Sequence, residues 1–276
     1  PKARAVMNIR VIEKHGLKPG KNVVVLAGVH GDEVCGVKAF DLLIPLLNIE
    51  CGKVTFIYAN LEAIRQNKRF VEVNLNRCFF KEQAEEIKGT LEGKTAKSII
   101  PFLERADALL DLHASFTKES VPFVICGESQ IKTASIFDSS LVVCNIDPFH
   151  PGSTDHFMNV HVKPGFCFEC GYLGDEKTQE IAEKALISFL RSNGNISGPL
   201  AYCPQQIIKF TGIYKNTFGA FKKARAFRDF EMLREKTIIG SDGVNPVYGM
   251  SGQIMLFVRD CDNIGEECFL IAVPRA

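Results

Sequence analysis

The stretch KNVVVLAGVHGDE (residues 21–33) joins a short Val-rich run to a turn containing two glycines, a histidine and two acids. The run is apolar at successive positions, which suits a strand buried on both faces of a sheet. Gly28 ends it. Val34, Val37, Ile44 and Leu47 then recur near helical spacing, so a helix is expected over about 33–47, with Pro45 close to its end. The same alternation continues outward. KVTFIYAN (53–60), ADALLDLH (106–113), VPFVICG (121–127), SLVVCNID (140–147) and GFCFECG (165–171) read as strands. Residues 94–105 read as a helix. TQEIAEKALISFLRSNG (178–194) is an amphipathic one, with Ile181, Ala185, Leu186, Phe189 and Leu190 on one face and Gly194 as its stop. The expectation is an α/β fold, a mixed sheet flanked by helices.

The pattern changes near residue 198. SGPLAYCPQQ carries two prolines, and beyond it short apolar runs are separated by Gly-containing turns without a long helix. Residues 1–198 are therefore expected to form one domain and residues 199–276 a small β-rich one. Tyr248, in NPVYGMSG, reads as a turn or core residue.

The chain has 276 residues, 46% of them hydrophobic and 24% charged, with a net charge of +1. Those values exclude disordered and collagen-like classes. The charge balance argues against a nucleic-acid partner or an anionic membrane surface. The basic segment KKARAFR (222–228) reads as a solvated strand edge. No apolar run approaches the ~18–20 residues of a membrane span. The opening PKARAVMNIRVIEKHG lacks the apolar core of a signal peptide, although a removed leader would leave no trace. The ten cysteines sit mostly in apolar runs, as reduced thiols of a cytoplasmic protein would. Cys167 and Cys170 form one C-x-x-C without the second pair that a structural zinc site of this type needs. Because they sit in a strand pattern, a redox role is disfavoured.

Four groups of residues could carry chemistry. His30 and Glu33 follow the first strand, where ligands gather in open α/β sheets, and one tight turn could aim both at a common point. An imidazole with a carboxylate suits Zn²⁺, although a hydrogen-bonded His beside a solvated Glu explains the pair as well. His113 closes another strand in DLHAS. Asp111, two residues earlier, shares its face and could orient it. Glu169 is an acid inside an apolar run, which suits a strand end, a cation partner or an edge facing solvent. Near a metal it could act as general base. Arg69, Asn76 and Arg77 lie in a basic, amide-rich stretch suited to gripping a carboxylate or an oxyanion, or to lying on a solvated surface.

Taken in order, GVHGDE, NKRFVEVNLNRCF, DLHAS and FECG resemble the motifs of the succinylglutamate desuccinylase/aspartoacylase family, a branch of the zinc carboxypeptidase superfamily. The likeness covers roughly residues 20–195 well, and the β-rich tail loosely. It implies a zinc-carboxypeptidase-like fold and a zinc-dependent hydrolase that cleaves the amide bond of a small N-acyl amino acid. His30, Glu33 and His113 would hold one Zn²⁺ per chain. Glu169 would be the general base and then the proton donor, and Arg69 would polarise the scissile carbonyl. Asn76 and Arg77 would hold the substrate α-carboxylate. The alternatives are a zinc carboxypeptidase acting on peptides and a catalytically silent zinc- and ligand-binding relative. The sequence is compatible with a homo-oligomer.

Two departures stand out. Asn74 occupies a position where the family usually has Asp. Asn159 stands at about the place where aspartoacylase proper carries an acyl-selecting Arg. The segment HPGSTDHFMNVHVK (150–163) offers His156, His161 and Lys163 instead.

Overall fold

The computed structural model describes residues 4–6 and 8–275, so residues 1–3 and 7 of the opening stretch lie outside it. The first strands are β1 (Arg4–Val6), β2 (Ile9–His15), β3 (Lys18–Ala27), β4 (Cys51–Tyr58) and β5 (Ala108–Ser115). They are followed by β6 (Phe123–Cys126), β7 (Leu141–Cys144), β8 (Gly165–Tyr172) and β9 (Gln206–Lys215). The tail adds β10 (Phe221–Lys223), β11 (Glu231–Met232), β12 (Thr237–Asp242), β13 (Asn245–Gly249), β14 (Ile254–Leu256) and β15 (Glu267–Pro274). The helices are α1 (Cys35–Leu43), α2 (Leu61–Gln66), α3 (Glu85–Lys88), α4 (Leu91–Arg105), α5 (Ile131–Ala134), α6 (Thr154–Val160) and α7 (Lys177–Ser192).

Twelve strands form one mixed sheet in the order β1-β2-β4-β3-β5-β8-β6-β7-β9-β15-β14-β11. Its centre is parallel, with β3 between β4 and β5 and with β8 beside β5. Alternate side chains of β3 feed opposite faces, as pleating requires. Val23, Val25 and Ala27 pack with α1 and α7 residues such as Phe40 and Phe189. Val24 and Leu26 pack with Ile99 and Leu103 of α4. A strand buried on both sides reads as a continuous apolar run. That is why KNVVVLA was readable from its letters.

The α/β expectation is met. The sheet also continues past residue 198, because β9 pairs in parallel with β7 and carries β15, β14 and β11 beyond it. Strands β10, β12 and β13 form a separate antiparallel sheet. The basic stretch around β10 is neutralised locally. Lys222 pairs with Asp262 at 2.7 Å, Arg228 with Glu119 at 3.1 Å, and Arg225 with Glu231. Tyr248 belongs to neither a turn nor the core, since it is half exposed on β13 with Lys236 over its ring. All ten cysteines are free, and Cys167 and Cys170 lie on β8. No helix among the described residues is long and apolar enough to cross a membrane.

Candidate metal centre and cavity

Three strand ends converge. The turn after β3 carries His30 and Glu33, with Glu33 N–H bonded to His30 O at 3.2 Å. Its glycines permit that course. Gly28 has φ +70°, and a Cβ on Gly31 would lie 2.1 Å from the Ala63 carbonyl carbon. On β5, Asp111 and His113 share a face, opposite to Leu110 and Leu112. The register of β5 with β8 sets His113 directly across from Glu169. Spacing and register thus bring residues 30, 33, 113 and 169 to one place.

Glu33 is the hub. Its Oε1 meets His30 Nδ1 at 2.8 Å and accepts from Arg69 Nη1 at 2.7 Å. Its Oε2 meets His113 Nδ1 at 2.8 Å and accepts from Ala114 N–H at 3.1 Å. Burial alone would disfavour its charge, but these partners outweigh burial and hold its carboxyl well below the usual range.

The donor set fits a cation. Asn74 Oδ1 accepts from Asn76 N–H at 2.9 Å, which fixes the amide with its oxygen towards His30 Nε2, 3.1 Å away. A neutral His30 therefore keeps its proton on Nε2 and turns the Nδ1 lone pair to the Glu33 carboxylate. Two acceptors 2.8 Å apart need a positive charge between them. A proton is a poor choice, because burial and then Arg69 push the His30 pKa down to about 4. His30, Glu33 and His113 offer ligand atoms within 4.8 Å of one another, all buried. That group could hold a metal ion, with the two-nitrogen, one-carboxylate donors that suit zinc and leave a position open. On His113, Nε2 lies 2.9 Å from Asp111 Oδ2 without hydrogen-bond alignment, while Thr154 Oγ1 donates to that oxygen at 2.6 Å. Burial alone would lower the proton affinity of His113. The Asp111 charge outweighs it and raises the pKa well above the usual value.

Glu169 Oε2 is buried without a partner. Burial, and then the Glu33 charge, push its pKa up to about 8. A carboxyl of that affinity can both take and return a proton near neutrality.

These groups border a cavity of about 400 Å³. Arg69, Asn76 and Arg77 line it. Asn76 Oδ1 accepts from Thr154 N–H at 3.1 Å, leaving the amide nitrogen as the donor a ligand can use. Arg77 Nη1 donates to Asn76 O at 2.8 Å, and its Nη2 lies 4.0 Å from Glu267. The loop that carries these residues is tied down by buried Glu92 of α4, whose oxygens accept from the N–H groups of Val71, Glu72 and Val73.

Several lining residues were not legible in the sequence. The tail supplies Lys215, Arg259 and Glu267. Glu267 also meets His150 Nε2 at 2.9 Å. Asp229 accepts from Ser115 and Ser120 Oγ and from Phe257 N–H, which joins the tail to the DLHAS strand end. Of the segment 150–163, His156, His161 and Lys163 lie outside the cavity lining; His161 Nδ1 faces Phe157 O and Lys163 donates to Glu104 O. Asn159 bonds Asp147 at 3.0 Å. His150, Ser153 and Asp155 line the cavity instead. The helix that carries Asp155 is not predicted from the sequence pattern. Its one sequence signal is Ser153, whose side chain caps α6 by accepting from His156 N–H.

A family model described as the succinylglutamate desuccinylase/aspartoacylase catalytic domain matches residues 19–191. A succinylglutamate desuccinylase of Vibrio campbellii is 31% identical over 118 residues, which is 39% of this chain and 34% of that protein. The alignment thus spans about a third of that relative's length. A probable aspartoacylase of a Nostoc species is 24% identical over 268 residues, covering 86% of this chain and 90% of that one. The solved structure of a succinylglutamate desuccinylase from Vibrio parahaemolyticus superposes with TM-score 0.77 at 16% identity, covering 99% of this chain and 91% of that one. That likeness concerns the fold.

Proposed function

Because the chain belongs to the succinylglutamate desuccinylase/aspartoacylase family, we propose that it is a zinc-dependent hydrolase removing the acyl group from a small N-acyl amino acid. The observation that carries this reading is the convergence of His30, Glu33 and His113 beside the unpartnered Glu169 carboxylate. Zinc held by His30, Glu33 and His113 would supply Lewis acidity and lower the pKa of a water toward ~7.

The chain's own residues do the rest. Glu169 takes the proton of the attacking water and later gives it to the leaving amine, so that each product leaves with its proton balance complete. Arg69, about one-third exposed at the cavity edge, donates to the acyl oxygen as negative charge develops there. Arg77 and the Asn76 amide grip the α-carboxylate in a charge-assisted pair of contacts. Asp111, braced by Thr154, holds the His113 ring.

A cavity of about 400 Å³ suits a small molecule better than a peptide. Residues 1–198 are the catalytic unit in this reading, and the β-rich unit 199–276 helps to wall the cavity. Ten free thiols are compatible with a cytoplasmic setting.

The test is a panel of N-acyl amino acids set against peptides with the same C-terminal residue, assayed with zinc-loaded protein. Hydrolysis of the former alone is expected. Faster release of the C-terminal residue from peptides would reassign the chain to carboxypeptidase chemistry. Zinc and ligand binding without hydrolysis of any substrate would make it a silent relative.

A further inference from the structure

One buried acid in the cavity has no part in the chemistry above. Asp155 is 2% exposed, lines the cavity, and its Oδ2 has no partner. A carboxylate oxygen buried without a donor is costly to keep, by more than a typical hydrogen bond repays.

Inside the protein Ser153 hydrogen-bonds this carboxylate and Arg77 attracts it, but Oδ2 itself keeps no donor. Arg77 turns its guanidinium to Asn76 O and Glu267. Lys163 is spent on Glu104 O. The charges that act on Asp155 include two further acids, Asp147 and Asp111, and burial itself raises its pKa to about 6. The cavity wall therefore holds, at Asp155 Oδ2, an acceptor awaiting a donor.

Its position is fixed. Thr154 is locked by two bonds, N–H to Asn76 Oδ1 at 3.1 Å and Oγ1 to Asp111 Oδ2 at 2.6 Å. Asp155 is thereby set one residue from the contact with Asn76, which grips the α-carboxylate in the proposed function. The substituent on the same α-carbon is the part of a substrate that reaches this region. Ile125 and Ile146 line the same cavity and offer walls for methylene groups.

We infer that Asp155 is a specificity residue, and that the amino-acid half of the substrate carries an ammonium or guanidinium side chain which its free oxygen accepts. This rests on the hydrolase reading above. An acidic side chain is disfavoured there, because it would place a second anion beside Asp155. Neutral isosteres leave the buried acceptor unpaired, which is the kind of mismatch that discriminates strongly.

The test compares N-acetyl-lysine, N-acetyl-arginine, N-acetyl-norleucine and N-acetyl-glutamate as substrates of the zinc-loaded full chain. A basic substrate should exceed norleucine in kcat/KM by roughly 30-fold or more, as desolvated charge pairs do. In Asp155→Asn that ratio should fall to within about threefold. Norleucine or glutamate derivatives cleaved as well as the basic ones by the wild-type chain would overturn the inference while leaving the hydrolase reading intact. An unchanged ratio in folded Asp155→Asn would do the same. Should that variant fail to fold, the wild-type ranking still decides.

Calorimetric titration of the free amino acids into metal-free and zinc-loaded protein provides a readout independent of turnover. Lysine or arginine should bind about tenfold or more tightly than norleucine. Such a preference without any hydrolysis would sink the hydrolase reading and keep the Asp155 assignment. No preference would remove the assignment.

Discussion

Glu33 Oε2 and His113 Nδ1 lie 2.8 Å apart, although eighty residues separate them in the chain. Two central parallel strands create that contact, because β3 and β5 are neighbours and both end at the same edge. The contact sets an imidazole nitrogen and a carboxylate oxygen where, with His30, one metal ion could take both. One divalent ion per chain is the expected stoichiometry, read by metal analysis after exhaustive exchange. His113→Ala should lose it. Asn74→Ala, which removes the acceptor for His30 Nε2, should weaken it by about 10–100-fold. Full stoichiometry with unchanged affinity in both variants would place the ion elsewhere.

Glu169→Gln keeps the shape and removes the proposed base. Zinc content should be normal while kcat falls by about 10²–10⁴-fold. Near-normal turnover in that variant would end the assignment of Glu169 as proton carrier.

Arg77→Ala tests the carboxylate grip. KM should rise tenfold or more, at ~1.4 kcal/mol per decade, for substrates with a free α-carboxylate. The corresponding α-amides should be bound poorly by the wild type and show little further change. Equal KM values for acid substrates in wild type and variant would remove Arg77 from that role.

Asp155 makes stability depend on pH in a defined direction. Burial raises its pKa from an ordinary 3.8 to about 6 in the folded chain. The folded state then holds this proton more tightly than the unfolded state does. Stability from this group falls as pH rises from about 3.8 to 6, and the deficit stays constant above that. The gap corresponds to ~3 kcal/mol at most. Asp155→Asn should therefore be more stable than wild type at pH 8, and the advantage should shrink towards pH 4. A stability difference that stays flat between pH 4 and 8 would contradict this account of the buried acid.

The strands that build the centre were legible because burial on both faces leaves an uninterrupted apolar signature, as in Val23 to Ala27 and Phe123 to Cys126. His30, Glu33, His113 and Glu169 were legible because each interrupts or ends such a run. Glu267 was not, since nothing local distinguishes it from Glu266, and only the pairing of β15 with β9 carries it to Arg77. Asp155 was hidden for a similar reason. It sits in the first turn of a helix, where an acid is ordinary, and its burial arises from packing against β5 and β8. Glu92 carries no local mark in the sequence, yet it is fully buried and holds the loop before Asn74. Long-range closure decides all three.

The most direct measurement of the central claim is zinc-titrated hydrolysis of an N-acyl amino acid by the chelator-stripped chain. The account predicts that turnover vanishes on stripping, returns in proportion to zinc, and saturates at one equivalent per chain. Turnover that persists in the stripped protein, or that fails to appear for any N-acyl amino acid when the His30–Glu33–His113 group is fully loaded, would contradict it.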